Sequence, residues 1–203
     1  MACNHMAEIF SNNRESQSMA LRHLFQRGHT MKLLLASTLV LTAFATPAIA
    51  EAASLSPKSH PRTFCDLAKD LGYPSRGYKE STGGCASNMI EVTSTPGKGG
   101  LRNNLAFYSM GEYESPSKLQ RVSLILNVNN TAEKAPAQAE LARVAVALAK
   151  KIAGQVPADL SDVVLKAKSK TWPAGEWAID VKTTVWPTGL GQDTTIYFRS
   201  AAN

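Results

Sequence analysis

Side chains able to do covalent, acid–base or metal chemistry are sparse in this sequence, and their spacing narrows what it can do. Downstream of residue 50 stand two cysteines, Cys65 and Cys85, and one histidine, His60. A serine nucleophile needs an imidazole held by an acid, and His60 lies in a Ser/Pro-rich stretch that offers none. A thiol nucleophile would have to come from the cysteine pair. A zinc site would need more imidazole or thiolate ligands than these. Carboxylates remain, the groups that cleave glycosides in pairs. Glu112 and Glu114 flank Tyr113 and share a face if the strand before them continues, while Glu176 and Asp180 border another strand. Solvated strand ends carry carboxylates so commonly that no catalytic residue, metal or cofactor is assigned. The expectation is a protein that is not an enzyme.

Two further patterns concern binding. Gly97-Lys98-Gly99-Gly100 has the composition of a phosphate cradle, but the nucleotide loop requires G-x-x-x-x-G-K-[ST] between strand and helix. Here the glycines follow the lysine and another strand follows the glycines, so the segment reads as a hairpin turn. Trp172-Pro173-Ala174-Gly175 is echoed by Trp186-Pro187-Thr188-Gly189, and the copies bracket one strand. Pro and Gly at those offsets are turn grammar. The tryptophans are not explained by it, and Trp172 and Trp186 become candidates for an aromatic platform holding a sugar or peptide.

The elements that must position these residues centre on Ala137–Ala153. Leu141, Val144, Ala145, Leu148 and Ile152 recur at helical spacing, Pro136 suits a first turn, and Gly154 is the expected stop. Such a one-faced helix needs a sheet beneath it. Phe64–Leu71 reads as a short helix closed by Gly72, and Tyr73–Gly84 as a loop. Asn88–Thr95, Asn103–Glu112 and Leu119–Asn129 read as an antiparallel meander joined by short turns. A weaker helix is expected over Ala158–Lys168, then strands over Trp177–Val185 and Thr194–Arg199. The order α-β-β-β-α-(α)-β-β predicts an α+β two-layer sandwich: an antiparallel sheet of about five strands with helices on one face.

Alternation then assigns the faces. If Val122, Leu124, Leu126, Ile179, Val181, Ile196 and Phe198 face the helices, then Tyr108, Met110, Arg121, Ile125, Asp180, Lys182, Trp186, Tyr197 and Arg199 face away. Aromatics, arginines and an isoleucine together are the mixture found on protein-binding surfaces. From this set Tyr108, Arg121, Ile125, Lys182, Tyr197 and Arg199 are taken as candidate binding residues.

Met31-Lys32, the apolar run Leu33–Phe44 and the small residues Ala48 and Ala50 predict a signal peptide cleaved after Ala50. The run is too short to anchor stably in a membrane. Residues 1–30 have no sustained period and read as a mis-assigned start or a long basic n-region. Residues 51–61 read as a disordered leader, 62–200 as one domain and 201–203 as a frayed tail. Removing Arg14, Arg22, Arg27 and Lys32 together with Glu8 and Glu15 leaves a net charge of about +4, down from +6. Export to the periplasm or beyond argues against nucleic acid and for a protein or an envelope polymer. In that oxidising space Cys65 and Cys85 are expected to form a disulfide. Asn129-Asn130-Thr131 fits a glycosylation acceptor but marks no more than an exposed turn.

The element order resembles the type III secretion chaperone and YbjN-like fold, from which the chain departs in being basic, exported and without a final helix. Separately, the signal peptide, the cysteine pair and Asn104-Leu105-Ala106-Phe107-Tyr108 resemble a group of small exported bacterial proteins. The expected function is non-enzymatic binding through the open sheet face, as an envelope chaperone or inhibitor. The alternative is a carbohydrate- or peptidoglycan-binding protein using the tryptophans and, weakly, the paired carboxylates.

Overall fold

The computed structural model describes residues 54–202. The N-terminal extension, the signal-like segment, the first part of the leader and Asn203 lie outside the described residues. Strands β1 (Gly84–Ala86), β2 (Ile90–Glu91), β3 (Asn104–Gly111) and β4 (Leu119–Val128) precede two helices, α1 (Lys134–Ala153) and α2 (Leu160–Leu165). Strands β5 (Lys170–Ala174), β6 (Trp177–Val185) and β7 (Gln192–Ser200) follow. Every pairing is antiparallel, in the order β1-β3-β4-β7-β6-β5, with β2 beside β1 on the same flank of β3. The fold is α+β, an open antiparallel sheet with helices on one face.

The helical period explains α1. Leu141, Val144, Ala145, Leu148 and Ile152 are fully buried, on the side that packs against β4 and β7. Pro136 lies in the first turn, where a missing N–H costs no intrahelical bond. Gly154 ends the helix at φ +70°, its N–H donating to Lys150 O at 3.1 Å, a conformation only glycine adopts cheaply. From the sheet come Leu105, Phe107, Val122, Leu124, Leu126, Ile179, Val181, Ile196 and Phe198, all buried as alternation required. Asn103, fully buried, fastens the two layers. Its Nδ2 donates to Asn130 O and Glu133 O at 3.0 and 3.1 Å, and its Oδ1 accepts from Asn130 N at 2.7 Å.

The structure corrects the expected elements in four places. The helix read over Phe64–Leu71 is instead a pair of 3-10 turns, Pro61–Phe64 and Lys69–Leu71, with bonds running from residue i to i−3. Of the strand read over Asn88–Thr95 only Ile90–Glu91 forms, and a separate strand, β1, stands before it at Gly84–Ala86. Ser87 Oγ, rather than a carbonyl, accepts from Phe107 N, and the ladder resumes only at Ile90. Lys170–Ala174, read as a turn from Trp-Pro-Ala-Gly, is the strand β5; Pro173 is tolerated there because an edge strand has one unpaired side. The leader is structured from Leu55 onward, whose N–H donates to Ile152 O at 2.9 Å.

A polar clasp joins the loop after Leu71 to α1. Tyr73 Oη donates to Glu140 Oε1 at 2.8 Å, and Arg143 Nε donates to Glu140 Oε2 at 2.7 Å. The Arg143 guanidinium, against the opposing effect of burial and aided by the Tyr73 hydroxyl, holds the Glu140 carboxyl below the usual carboxylate range. Burial, with the Glu140 carboxylate second, pushes the Tyr73 phenol above its ordinary value. A carboxyl whose folded pKa is depressed adds stability above its unfolded pKa, and that stability is lost as pH falls through the folded value. Glu140→Gln is therefore expected to cost about 1 kcal/mol at neutral pH and nothing in acid. Urea unfolding at neutral pH and below the carboxylate range checks this: a constant difference would exclude the clasp as its source.

Candidate functional site

The face turned away from the helices is built by register. Across it Asp180 stands opposite Tyr197, Tyr197 opposite Ser123, Ser123 opposite Tyr108, and Tyr108 opposite Ala86. One neighbouring row carries Ala178 opposite Arg199 and Arg121 opposite Met110; another carries Lys182, Thr195, Ile125 and Ala106. Tyr108, Arg121, Ile125, Lys182, Tyr197 and Arg199 thus share one surface, as alternation along β3, β4, β6 and β7 required. Small residues lie between them, and Ala106, Ser123 and Thr195 are 1, 1 and 5 % exposed despite facing outward.

Tyr197 is the centre of the arrangement. The Arg199 guanidinium carbon lies 4.5 Å from its ring centroid and that of Arg121 lies 5.9 Å away, distances at which a cation is drawn to the ring face. The two arginines differ in their other partners. Arg199 Nη2 approaches Asp180 Oδ2 at 3.4 Å, while Asp180 Oδ1 accepts from Thr171 Oγ1 at 2.6 Å. Arg121 donates to Gln120 Oε1 at 2.8 Å and meets Met110 Sδ at 3.6 Å, neither of them charged.

Beside Tyr108 and Met110 the surface deepens into a cleft of about 240 Å³, walled on its other side by Arg76, Lys79 and Thr82. That wall is fixed from several directions. Lys79 N donates to Gly84 O at 2.8 Å, Gly111 N donates to Gly83 O at 2.8 Å, and Tyr78 Oη donates to Pro116 O at 3.4 Å. The Cys65–Cys85 disulfide, expected from the cysteine pair, ties β1 to the segment before it across a sequence separation of 20 residues. Arg76 and Lys79 were not singled out in the sequence. The signal present was two cations flanking Gly77-Tyr78 ahead of Cys85, ambiguous until the loop is folded onto β1.

The aromatic platform is not formed. Trp172 pairs with Ile179 on the helix side of the sheet and is 9 % exposed, its Nε1 donating to Asp159 Oδ1 at 2.8 Å. It belongs to the core because it sits in β5 at an inward position. Trp186 follows the end of β6, where a β-carbon on Gly191 would lie 2.5 Å from its Cζ3. The ring thus occupies the space left by glycine in its own hairpin turn. The carboxylate pair is not formed on a strand either: β3 ends at Gly111, so Glu112 and Glu114 fall in the turn beyond it. Among the described residues no group of three His, Cys, Asp or Glu is placed to hold a metal ion, and no helix is long and apolar enough to cross a membrane.

Fold and surface together define an α+β protein whose sheet has one helix-covered face and one basic and aromatic face that no other described element covers. No protein-family model, no curated protein and no solved structure matches the chain.

Proposed function

We propose that this protein works by binding rather than catalysis, capturing a protein or an envelope polymer on the open face of its sheet. The observation that carries the reading is Tyr197 flanked by Arg121 and Arg199 on a sheet face that no other described element covers, beside a cleft lined by Arg76 and Lys79. Tyrosine and arginine are the side chains that supply most binding energy at low ordering cost. The strands beneath them are locked into the core, so the surface is preorganised. Export to the periplasm or the exterior fits the Met31–Ala50 segment and the disulfide, which persists in an oxidising compartment. An envelope chaperone or an inhibitor of a secreted enzyme are the roles this surface suits.

The test uses the protein as bait in native envelope extract. Tyr197→Thr together with Arg199→Gln keeps strand-compatible side chains and touches no buried core group. The double variant is expected to retain the wild-type unfolding free energy to within about 1 kcal/mol and to lose about 90 % of the captured partner, in line with the roughly tenfold weakening that removal of one hot-spot residue brings. Undiminished capture by a folded double variant would overturn the reading.

A further inference from the structure

Among the described residues no large apolar side chain is as exposed as Tyr113, at 98 %. It stands on the turn between β3 and β4 with Glu112 and Glu114 beside it, and neither glutamate forms an ion pair with a described residue. The turn that carries it is clamped. Glu112 N donates to Lys118 O at 2.9 Å across the two arms, and Lys118 N donates to Ser115 O at 2.8 Å. Both arms also rest on Gly83: Gly111 N donates to Gly83 O at 2.8 Å, and a β-carbon on Gly83 would lie 2.7 Å from Pro116 Cβ. A β-carbon on Gly111 would lie 2.1 Å from Pro116 O, so arm meets arm with no room for a side chain. Tyr78 Oη donates to Pro116 O at 3.4 Å, and the Cys65–Cys85 disulfide anchors β1, which begins immediately after Gly83.

We propose that this turn is a substrate-like inhibitory loop for a serine endopeptidase that accepts aromatic residues, with Tyr113 filling the enzyme's specificity pocket. Glu112, Glu114 and Ser115 surround the ring, so no apolar neighbour extends it into a flat interface. Burying it requires a deep slot for one side chain, and the specificity pocket of such a protease is one. The clamp meets the second requirement of an inhibitor, resistance to turnover. In a substrate the enzyme's serine Oγ attacks the Tyr113 carbonyl carbon and the Tyr113–Glu114 C–N bond breaks. The Glu114 amine then departs with the proton delivered by the enzyme's histidine. Here the arm bearing Glu114 stays tied to the arm bearing Tyr113 through Gly83, Gly111 and Lys118. The amine is held beside the acyl carbon and reforms the peptide bond before water hydrolyses the ester, the advantage of a tethered nucleophile. A turn ordered before binding also spares the cost of ordering it on the enzyme. This surface is separate from the open face, and the inference does not depend on that reading.

Chymotrypsin, whose specificity pocket is a hydrophobic slot, is the probe. The purified chain is expected to inhibit it saturably, with the Tyr113–Glu114 bond still intact in most molecules by mass spectrometry after prolonged incubation. Tyr113→Ala is expected to weaken inhibition about a hundredfold, and Tyr113→Lys to transfer it to trypsin, whose pocket carries an aspartate. Both variants change a solvent-exposed side chain and should unfold in urea as the wild type does, which separates lost inhibition from a lost fold. No inhibition of chymotrypsin, steady turnover at Tyr113–Glu114, Tyr113→Ala inhibiting as wild type, or Tyr113→Lys without effect on trypsin would each overturn the proposal. The Tyr197→Thr, Arg199→Gln pair should inhibit as well as the wild type; a loss there would assign inhibition to the sheet face and overturn the role of the turn. If chymotrypsin is not inhibited while extract capture still depends on Tyr197 and Arg199, the loop falls and the open face stands.

Discussion

Replacing Trp177 with alanine is expected to lower the free energy of unfolding by about 4 kcal/mol, the upper range for a large buried aromatic. Trp177 is the largest of the fully buried side chains. Its ring meets Phe64 edge-on at 5.7 Å between centroids, and its Nε1 donates to Leu55 O at 2.8 Å. One substitution therefore opens a cavity under β6, removes an aromatic contact with the segment before β1, and leaves a carbonyl of the N-terminal strap without its donor. Trp177→Phe separates these contributions, because it keeps most of the volume and loses the hydrogen bond, at a cost of about 1–3 kcal/mol. Urea unfolding of both variants gives the values. Proteolysis near Leu55 should become faster in both, since the strap then keeps only its bond to Ile152 and the packing of Leu55 against the core. A loss below about 1 kcal/mol for the alanine variant would show that the strap and β6 do not share a core.

Removing the disulfide, by Cys65→Ser with Cys85→Ser, is expected to cost about 3 kcal/mol. The bridge closes a sequence separation of 20 residues, and the chain-entropy relation assigns a loop of that length about that much constraint on the unfolded state. Both cysteines are buried, at 5 and 6 % exposed, so the serines add a further cost of burying hydroxyls beneath β1. The effect extends to function. Cys85 lies in β1, which floors the cleft, and Lys79 and Gly83 are bonded to that strand and to Gly111. Freed from Cys65, the wall bearing Arg76 and Lys79 should move more, and ligand affinity should fall with stability. Unfolding curves with and without reductant check the first part; coincident curves would contradict it.

Periodicity made the centre of the molecule legible. Leu141, Val144 and Leu148 announce α1 without ambiguity, and Val122, Leu124 and Leu126 alternate over a run long enough to fix both faces of β4. Because β7 is bonded to β4 throughout, with Ser123 opposite Tyr197, the open face followed from alternation alone. The failures lie where local grammar competes with tertiary placement. Pro173 speaks against a strand everywhere except at an edge, and nothing local says that β5 is the edge, so the pattern points Trp172 to a surface when it belongs to the core. Phe64 and Ala68 have helical spacing, yet the segment winds as 3-10 turns where it is tied to β1 through Cys65. Arg76 and Lys79 reach the site through a loop whose path is set by the disulfide and by Gly83, contacts that periodicity does not record.

The central claim, that the protein acts through the uncovered side of its sheet, is tested most directly by capture from envelope extract with two variants in parallel. One is the Tyr197→Thr, Arg199→Gln pair on the open face; the other is Lys150→Gln, exposed in the last turn of α1 on the helical layer. Loss of the captured partner in the first and wild-type recovery in the second is the expected result. Retention by the first with loss in the second would move the working surface to the helices and contradict the claim.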